Sequence, residues 1–224
     1  MAITFPLSHP ATPGFTSFEM KRIGNVGVAS SVFTFKQEIQ KHQGQVWAII
    51  ASLPPMNRAD AAEWEAFITK LNGPEGTFLI GDPDGQTPRG IATGTPLVKG
   101  ASQLGNSLIT DGWTIDTTNV LLANDYIQLS SGLTTHLHVN LNDVDSDGAG
   151  EATLDIWPDL RISPLNNDPI IVTSCKGIFR LLSNEFANQI NVITSISPLN
   201  IKSGVPTKAP AESIIPIHIV NGLP

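Results

Sequence analysis

The chain has 224 residues, a formal net charge of -7, 41% hydrophobic and 15% charged residues, and many turn formers (19 glycines, 17 prolines). That length allows one large or two small domains with a sizeable core. An acidic balance with no Lys/Arg-rich run argues against nucleic-acid binding, which needs clustered positive charge. Cys175 is the single cysteine, so an intramolecular disulfide is excluded, and no Cys/His zinc spacing occurs. The first residues, MAITFPLSHPATPGF, lack a basic n-region and a long apolar core. No apolar run approaches the roughly 20 residues of a membrane span, so the expectation is a soluble protein made in a cytoplasm, without membrane insertion.

In chain order, Met1 to Gly14 holds three prolines and reads as an extended segment. It is expected either to fray or to order against a neighbouring subunit, since Ile3, Phe5 and Leu7 alternate like a strand that wants a partner. Phe15 to Ile23 reads as a first strand, closed by the Gly24-Asn25 turn pair. From Ser31 to Lys41, Phe33, Phe35 and Ile39 fall on one face and Thr34, Lys36, Glu38 and Gln40 on the other, the pattern of a strand wetted on one side. After a glycine turn at His42 to Gln45, Trp47, Ile49, Ala51 and Leu53 give a second strand its inward face, and the two are expected to pair as a hairpin. Pro54-Pro55 ends it, because neither residue can donate to a ladder.

The only helical pattern follows. Asn57 is a good N-cap, and Asp60 can return the hydrogen bond and complement the helix dipole. Ala61, Trp64, Phe67, Ile68 and Leu71 form one apolar stripe at helical spacing, and Asn72-Gly73-Pro74 stops it. The segment Gly76 to Gly81, with Phe78 inward, returns to a sheet, and Asp82-Pro83-Asp84-Gly85 is a tight turn. Phe33, Phe35, Trp47, Ile49, Trp64, Phe67, Ile68, Leu71 and Phe78 are the expected packing residues.

Residues 86 to 100 look loose, after which short strand-like runs appear at 107–109, 120–122, 126–129, 134–141, 152–157 and 170–173. Their spacing suits a small all-β barrel or sandwich. The segment Lys176 to Asn191 regains strand character at Ile178, Phe179 and Leu181 and is expected to close the first sheet. The fold class is therefore mainly β. Residues 1–89 and 176–224 form a first domain with one short packed helix and extended arms, and residues 90–175 form an inserted small β domain. The tail from Ile193 is too rich in proline for helix, with SIIPIHIV as a terminal strand.

Chemical motifs are weak. Asp143, Asp145, Asp147 and Gly148 match the opening of a calcium loop, but Leu154 stands where a bidentate Glu is expected and no helix pattern flanks it, so an acidic turn is the better reading. His136 and His138 share a strand face without a third ligand at a readable spacing. Cys175 ends an apolar run and reads as a small buried hydrophobe. No nucleophile, phosphate-loop or zinc-protease pattern occurs, so neither an enzyme nor a cofactor is expected. Trp113 and Trp157 lie near turn residues and are the candidates for stacking on a host surface glycan.

The series from FTFKQ through HQGQ, WAIIASLP, an Ala/Trp-bearing helix, LNGPEGTF and a DP turn resembles the distal tail proteins of long-tailed bacteriophages. GASQLGN, NDYIQ, DGAGEATLDIWP and LRISP resemble the middle region of such proteins, so the likeness covers about Val32 to Ser183. The resemblance implies a virion protein with a β-sandwich belt domain and a peripheral β-barrel. It also implies a homohexameric ring whose partners are the tail tube and the tail hub or tip proteins. The proline-rich tail departs from that pattern. A receptor- or carbohydrate-binding tail-tip module is the alternative.

Overall fold

The computed structural model describes residues 3–42, 44–130, 134–184 and the backbone of 217–220. The extended C-terminal arm expected over 193–216 lies outside the described residues. The architecture is mainly β, with one α-helix among the described residues.

The first sheet has six strands: β1 (Leu7–Ser8), β2 (Ser17–Ile23), β5 (Val46–Ser52), β6 (Phe78–Ile80), β13 (Gly177–Leu181) and β14 (Ile217–Val220), in the order β1-β6-β13-β14-β5-β2. All neighbours are antiparallel except β1 and β6, where Leu7 lies beside Phe78. The N-terminal segment thus neither frays nor waits for a neighbour at Leu7; it pairs within its own sheet, and Phe5 and Leu7 pack on the core.

Helix α1 (Arg58–Leu71) covers this sheet. Asn57 Oδ1 accepts from the N–H groups of Ala59 (2.9 Å) and Asp60 (3.0 Å), while its own amide donates to Asp60 Oδ2 (2.8 Å). The sequence pattern of a cap followed by an acid is thereby realised as two satisfied orphan donors. The helix ends at Asn72 in the left-handed conformation. Trp64, Phe67, Ile68 and Leu71 are buried against Trp47, Ile49, Phe78, Ile80 and Phe179.

After Ile80 the chain leaves the first sheet and returns to it at Gly177. Between them it builds a second six-stranded sheet from β7 (Gly94–Val98), β8 (Gly105–Trp113), β9 (Tyr126–Leu129), β10 (His136–Asn140), β11 (Ala152–Leu160) and β12 (Ile170–Ile171). Its order is β12-β9-β10-β11-β8-β7. A bridge between Leu97 and Pro169 brings its two edges together, with Val98 N–H donating to Asp168 O (3.0 Å), so the sheet is nearly a closed barrel. Closure removes an exposed edge. Strand β7 lies in the stretch that looked loose; its Gly, Thr and Pro hide a single apolar pair, Leu97 and Val98. Residues 120–122 give one isolated bridge, Leu121 to Val144, instead of a strand.

The exit and re-entry points touch. A Cβ on Gly81 would stand 1.9 Å from the carbonyl oxygen of Cys175, so only glycine fits where the two crossing chains meet. Asp125, 3% exposed, fixes the start of the second sheet by accepting from the N–H groups of Arg89 (2.8 Å), Gly90 (2.9 Å) and Leu122 (2.8 Å).

The greatest departure from the sequence pattern lies at residues 26–41. The expected strand over 31–41 does not exist as one piece, and it does not pair with the Trp47 strand. Instead β3 (Val26–Ser30) pairs with β4 (Gln37–Lys41) as a separate two-stranded ribbon. Residues 31–36 form its tip, closed by Ser31 N–H to Lys36 O (2.9 Å) and Phe35 N–H to Ser31 O (2.9 Å), with Phe35 at φ 54°. The alternation of Phe33 and Phe35 therefore falls in a turn. β5 pairs with β2 and β14.

Candidate functional site

Two features stand out among the described residues: the ribbon, and a cleft at its base. In the β3–β4 register, Val26 faces Lys41, Val28 faces Ile39 and Ser30 faces Gln37. Because side chains alternate along each strand, Val26, Val28 and Ile39 share one face of the ribbon. All three are exposed. At the tip, Val32, Phe33 and Phe35 are 83%, 95% and 84% exposed. Phe33 and Phe35 are therefore not core packing residues, whereas Trp47, Ile49, Trp64, Phe67, Ile68, Leu71 and Phe78 are buried. The correction has a simple cause: among the described residues no second layer reaches the ribbon. Scattered single apolar residues on a surface are ordinary, but a run of six on one ribbon is a patch.

The ribbon's base is anchored. Lys41 Nζ lies 2.6 Å from Asp159 Oδ2, and Gln45 Oε1 accepts from Asp159 N–H at 2.7 Å. Asp159 and Gln45 also line a cleft of about 380 Å³. One wall comes from the junction of β9 and β10 (Leu129, His136, His138) and the other from the end of β11 and the loop after it (Leu160, Ile162, Leu165). Ile162 and Leu165, at 63% and 72% exposed, stand in solvent where they line it. Its polar groups include Arg161 and Asp168. Asp168 Oδ2 accepts from Ser130 Oγ (2.9 Å) and from Leu165 N–H (2.9 Å), which holds the loop against the barrel.

His136 and His138 both line this cleft. His138 is fully enclosed, and its Nδ1 sits 2.8 Å from Pro158 O, so the neutral ring donates from Nδ1 to the carbonyl. Burial lowers its pKa to about 4, opposed by the Pro158 carbonyl and reinforced by His136. Burial lowers His136 too, with Arg161 adding to the effect. Among the described residues no three His, Cys, Asp or Glu side chains are grouped to hold a metal ion.

The remaining candidates have structural duties. Trp113 is 4% exposed, with Nε1 donating to Thr110 Oγ1 (2.7 Å), so its ring is core and offers no face to a sugar. Trp157 is half-buried and meets Trp47 edge to face, with centroids 4.6 Å apart. Trp47 Nε1 in turn donates to Leu137 O (2.9 Å). These indoles join the two sheets. Asp143 Oδ1 accepts from Ala123 N–H and Asp145 Oδ1 from Asn119 N–H. Asp147 Oδ1 accepts from Ala149 and Glu151 N–H, which holds its pKa below the ordinary value. The acidic loop is thus a set of carboxylates that cap backbone N–H groups. Cys175 is buried, its Sγ within reach of Tyr126 O and Ile171 O, and burial pushes its pKa up to about 12.

The cleft and Asp125 were missed by sequence reading. Asp125 had a signal, an acid just before a strand after Asn124; the cleft had none, since its walls come from segments tens of residues apart. No family model matches the chain, and no curated protein matches it either.

Proposed function

We propose that this protein is a structural subunit of a closed homomeric ring, of the distal-tail kind that joins the tail tube of a long-tailed bacteriophage to its hub or tip. Six copies in the virion is the expected number, and the role is assembly, not catalysis. The observation that supports this most is the β3–β4 ribbon: an apolar face ending in two phenylalanines, anchored at its base and uncovered by any described residue of its own chain. An isolated two-stranded ribbon is at best marginally stable in water, so a partner is the natural source of its order. The barrel grafted between β6 and β13 and the order of motifs from Val32 to Ser183 agree with this reading. Of the two indoles behind the glycan-binding alternative, Trp113 is in the core and Trp157 is half-buried against Trp47.

Images of the negatively stained full chain test the proposal. Rings of uniform diameter are expected; a monodisperse monomer at tens of micromolar overturns it, since obligate assemblies form well below that concentration.

A further inference from the structure

The ribbon tip and the cleft are complementary features of one surface. The tip presents two aromatic rings and Val32, and no described residue of their own chain covers them. The cleft, about 380 Å³, falls within the roughly 300–1,000 Å³ of sites that bury sizeable apolar groups. Its walls carry Leu129, Leu160, Ile162 and Leu165.

The tip does not serve its own cleft. Lys41, at the ribbon's base, is bonded at the cleft rim, and five residues of strand carry the tip away by about 17 Å at about 3.4 Å per residue. The exposure of Phe33 and Phe35 in the single chain says the same. Among the described residues nothing seats the tip, and a second copy of the chain can supply the seat.

Charge selects a second copy of this chain. Beside the tip stand Lys36 and Glu38; in the cleft stand Asp168 and Arg161. The ion pairs Lys21–Glu19, Lys41–Asp159, Arg89–Asp125 and Lys99–Glu151 involve none of these four charges, so among the described residues each is open to an ion-pair partner, Asp168 keeping its hydrogen bonds to Ser130 and Leu165. Lys36 can meet Asp168 while Glu38 meets Arg161. Such rim pairs add little affinity but set orientation.

We propose that Phe33 and Phe35 at the ribbon tip of one copy seat in the cleft between Leu129 and Leu165 of the next copy. The contact is head-to-tail: each subunit gives a tip and receives one, and such a heterologous contact closes into a ring when its rotation divides the circle. Buried aromatic anchors in an apolar pocket are the usual carriers of interface energy. This inference rests on the ring reading and names the contact that builds the ring.

The test uses the full chain and its variants in sedimentation velocity and native mass spectrometry. Phe33→Ser with Phe35→Ser removes the anchors; Leu165→Asp spoils the cleft. Each variant alone is expected to weaken assembly at least about 30-fold, because hot-spot truncations reach that size. Mixed together, the two variants retain one intact pairing of tip with cleft, so a one-to-one heterodimer is expected and no ring. As a second measurement, Phe35→Cys combined with Leu165→Cys is expected to give intermolecular disulfides under mild oxidation, because native Cys175 is buried. Rings of the wild-type chain that survive Phe33→Ser with Phe35→Ser overturn the tip–cleft contact and leave the ring reading standing. A wild-type chain that stays monomeric overturns both. Loss of assembly on removing the tip, with Leu165→Asp inert and no disulfide formed, also overturns the contact and assigns the tip to a different surface.

Discussion

Strands β4 and β5 lie next to each other in sequence, and the pattern over 31–53 predicts an inward apolar face for each segment, yet their fates are opposite. Every residue of β4 is exposed, while Trp47, Ile49 and Ala51 of β5 are essentially inaccessible. β5 is flanked by β2 and β14 and covered by α1 on one side, with Trp157 and Leu137 of the second sheet against Trp47. Among the described residues β4 has a single neighbour, β3, and nothing above it. Alternation thus reports that a face is meant to be covered; it does not report whether the cover belongs to the same chain.

The comparison breaks first at Trp47. Trp47→Ala removes the contacts to Trp157 and Tyr126 and leaves Leu137 O without its donor, and it should lower the unfolding free energy by about 3–5 kcal/mol. Urea unfolding measures this, and a loss under about 1 kcal/mol would mean that the two sheets do not share the core described.

His138 gives the next largest effect, and it depends on pH. Its pKa is about 4 when folded against an ordinary 6.5, so between those values the unfolded chain takes up a proton that the folded chain refuses. Its stabilising contribution is therefore complete above about pH 6.5 and declines as pH falls toward 4, by roughly 3 kcal/mol in all. His138→Asn, whose amide can replace the Nδ1 donor toward Pro158 O, should show a flatter fall in urea midpoint from pH 7 to 4. An unchanged slope would place the acid sensitivity elsewhere.

Gly81→Ala sharpens the crossing between the sheets. Its Cβ would collide with Cys175 O, and a cost of about 1–3 kcal/mol is expected from the backbone shift it forces. A neutral effect in thermal unfolding would show that the crossing relaxes freely.

The smallest effect belongs to the ribbon. Phe33→Ser and Phe35→Ser should each change the stability of the dissociated chain by no more than about 0.5 kcal/mol, as exposed substitutions do. A larger loss would mean that the phenylalanines are buried within the single chain after all.

Helix α1 was legible almost to the residue, because cap, stripe and stop are local signals read within one turn of each other. The return of the chain to the first sheet was readable from Ile178 and Phe179, whose strand completes what Phe78 begins. The tip at Ser31–Lys36 was not. Its Phe-Thr-Phe alternation imitates a strand, and the turn it makes carries neither Gly nor Pro and relies on Phe35 at positive φ. Strand β7 was hidden by Gly94 and Pro96, residues that weaken strand signals in a free sequence but fit a barrel edge where the backbone twists. Trp113 misled for a related reason: nearby turn residues suggested exposure, whereas its donor to Thr110 lies in the barrel interior. The cleft depends on which distant loops the barrel brings together, and no local pattern encodes that.

Amide hydrogen exchange over residues 26–41, followed as protein concentration is raised from the dissociated to the assembled state, tests the ribbon's role most directly. The expected result is fast exchange at Val26–Ser30 and Gln37–Lys41 in the dilute chain, slowing strongly as rings form, while Val46–Ser52 stays protected throughout. Equally fast exchange of the ribbon in dilute and assembled protein would contradict the account.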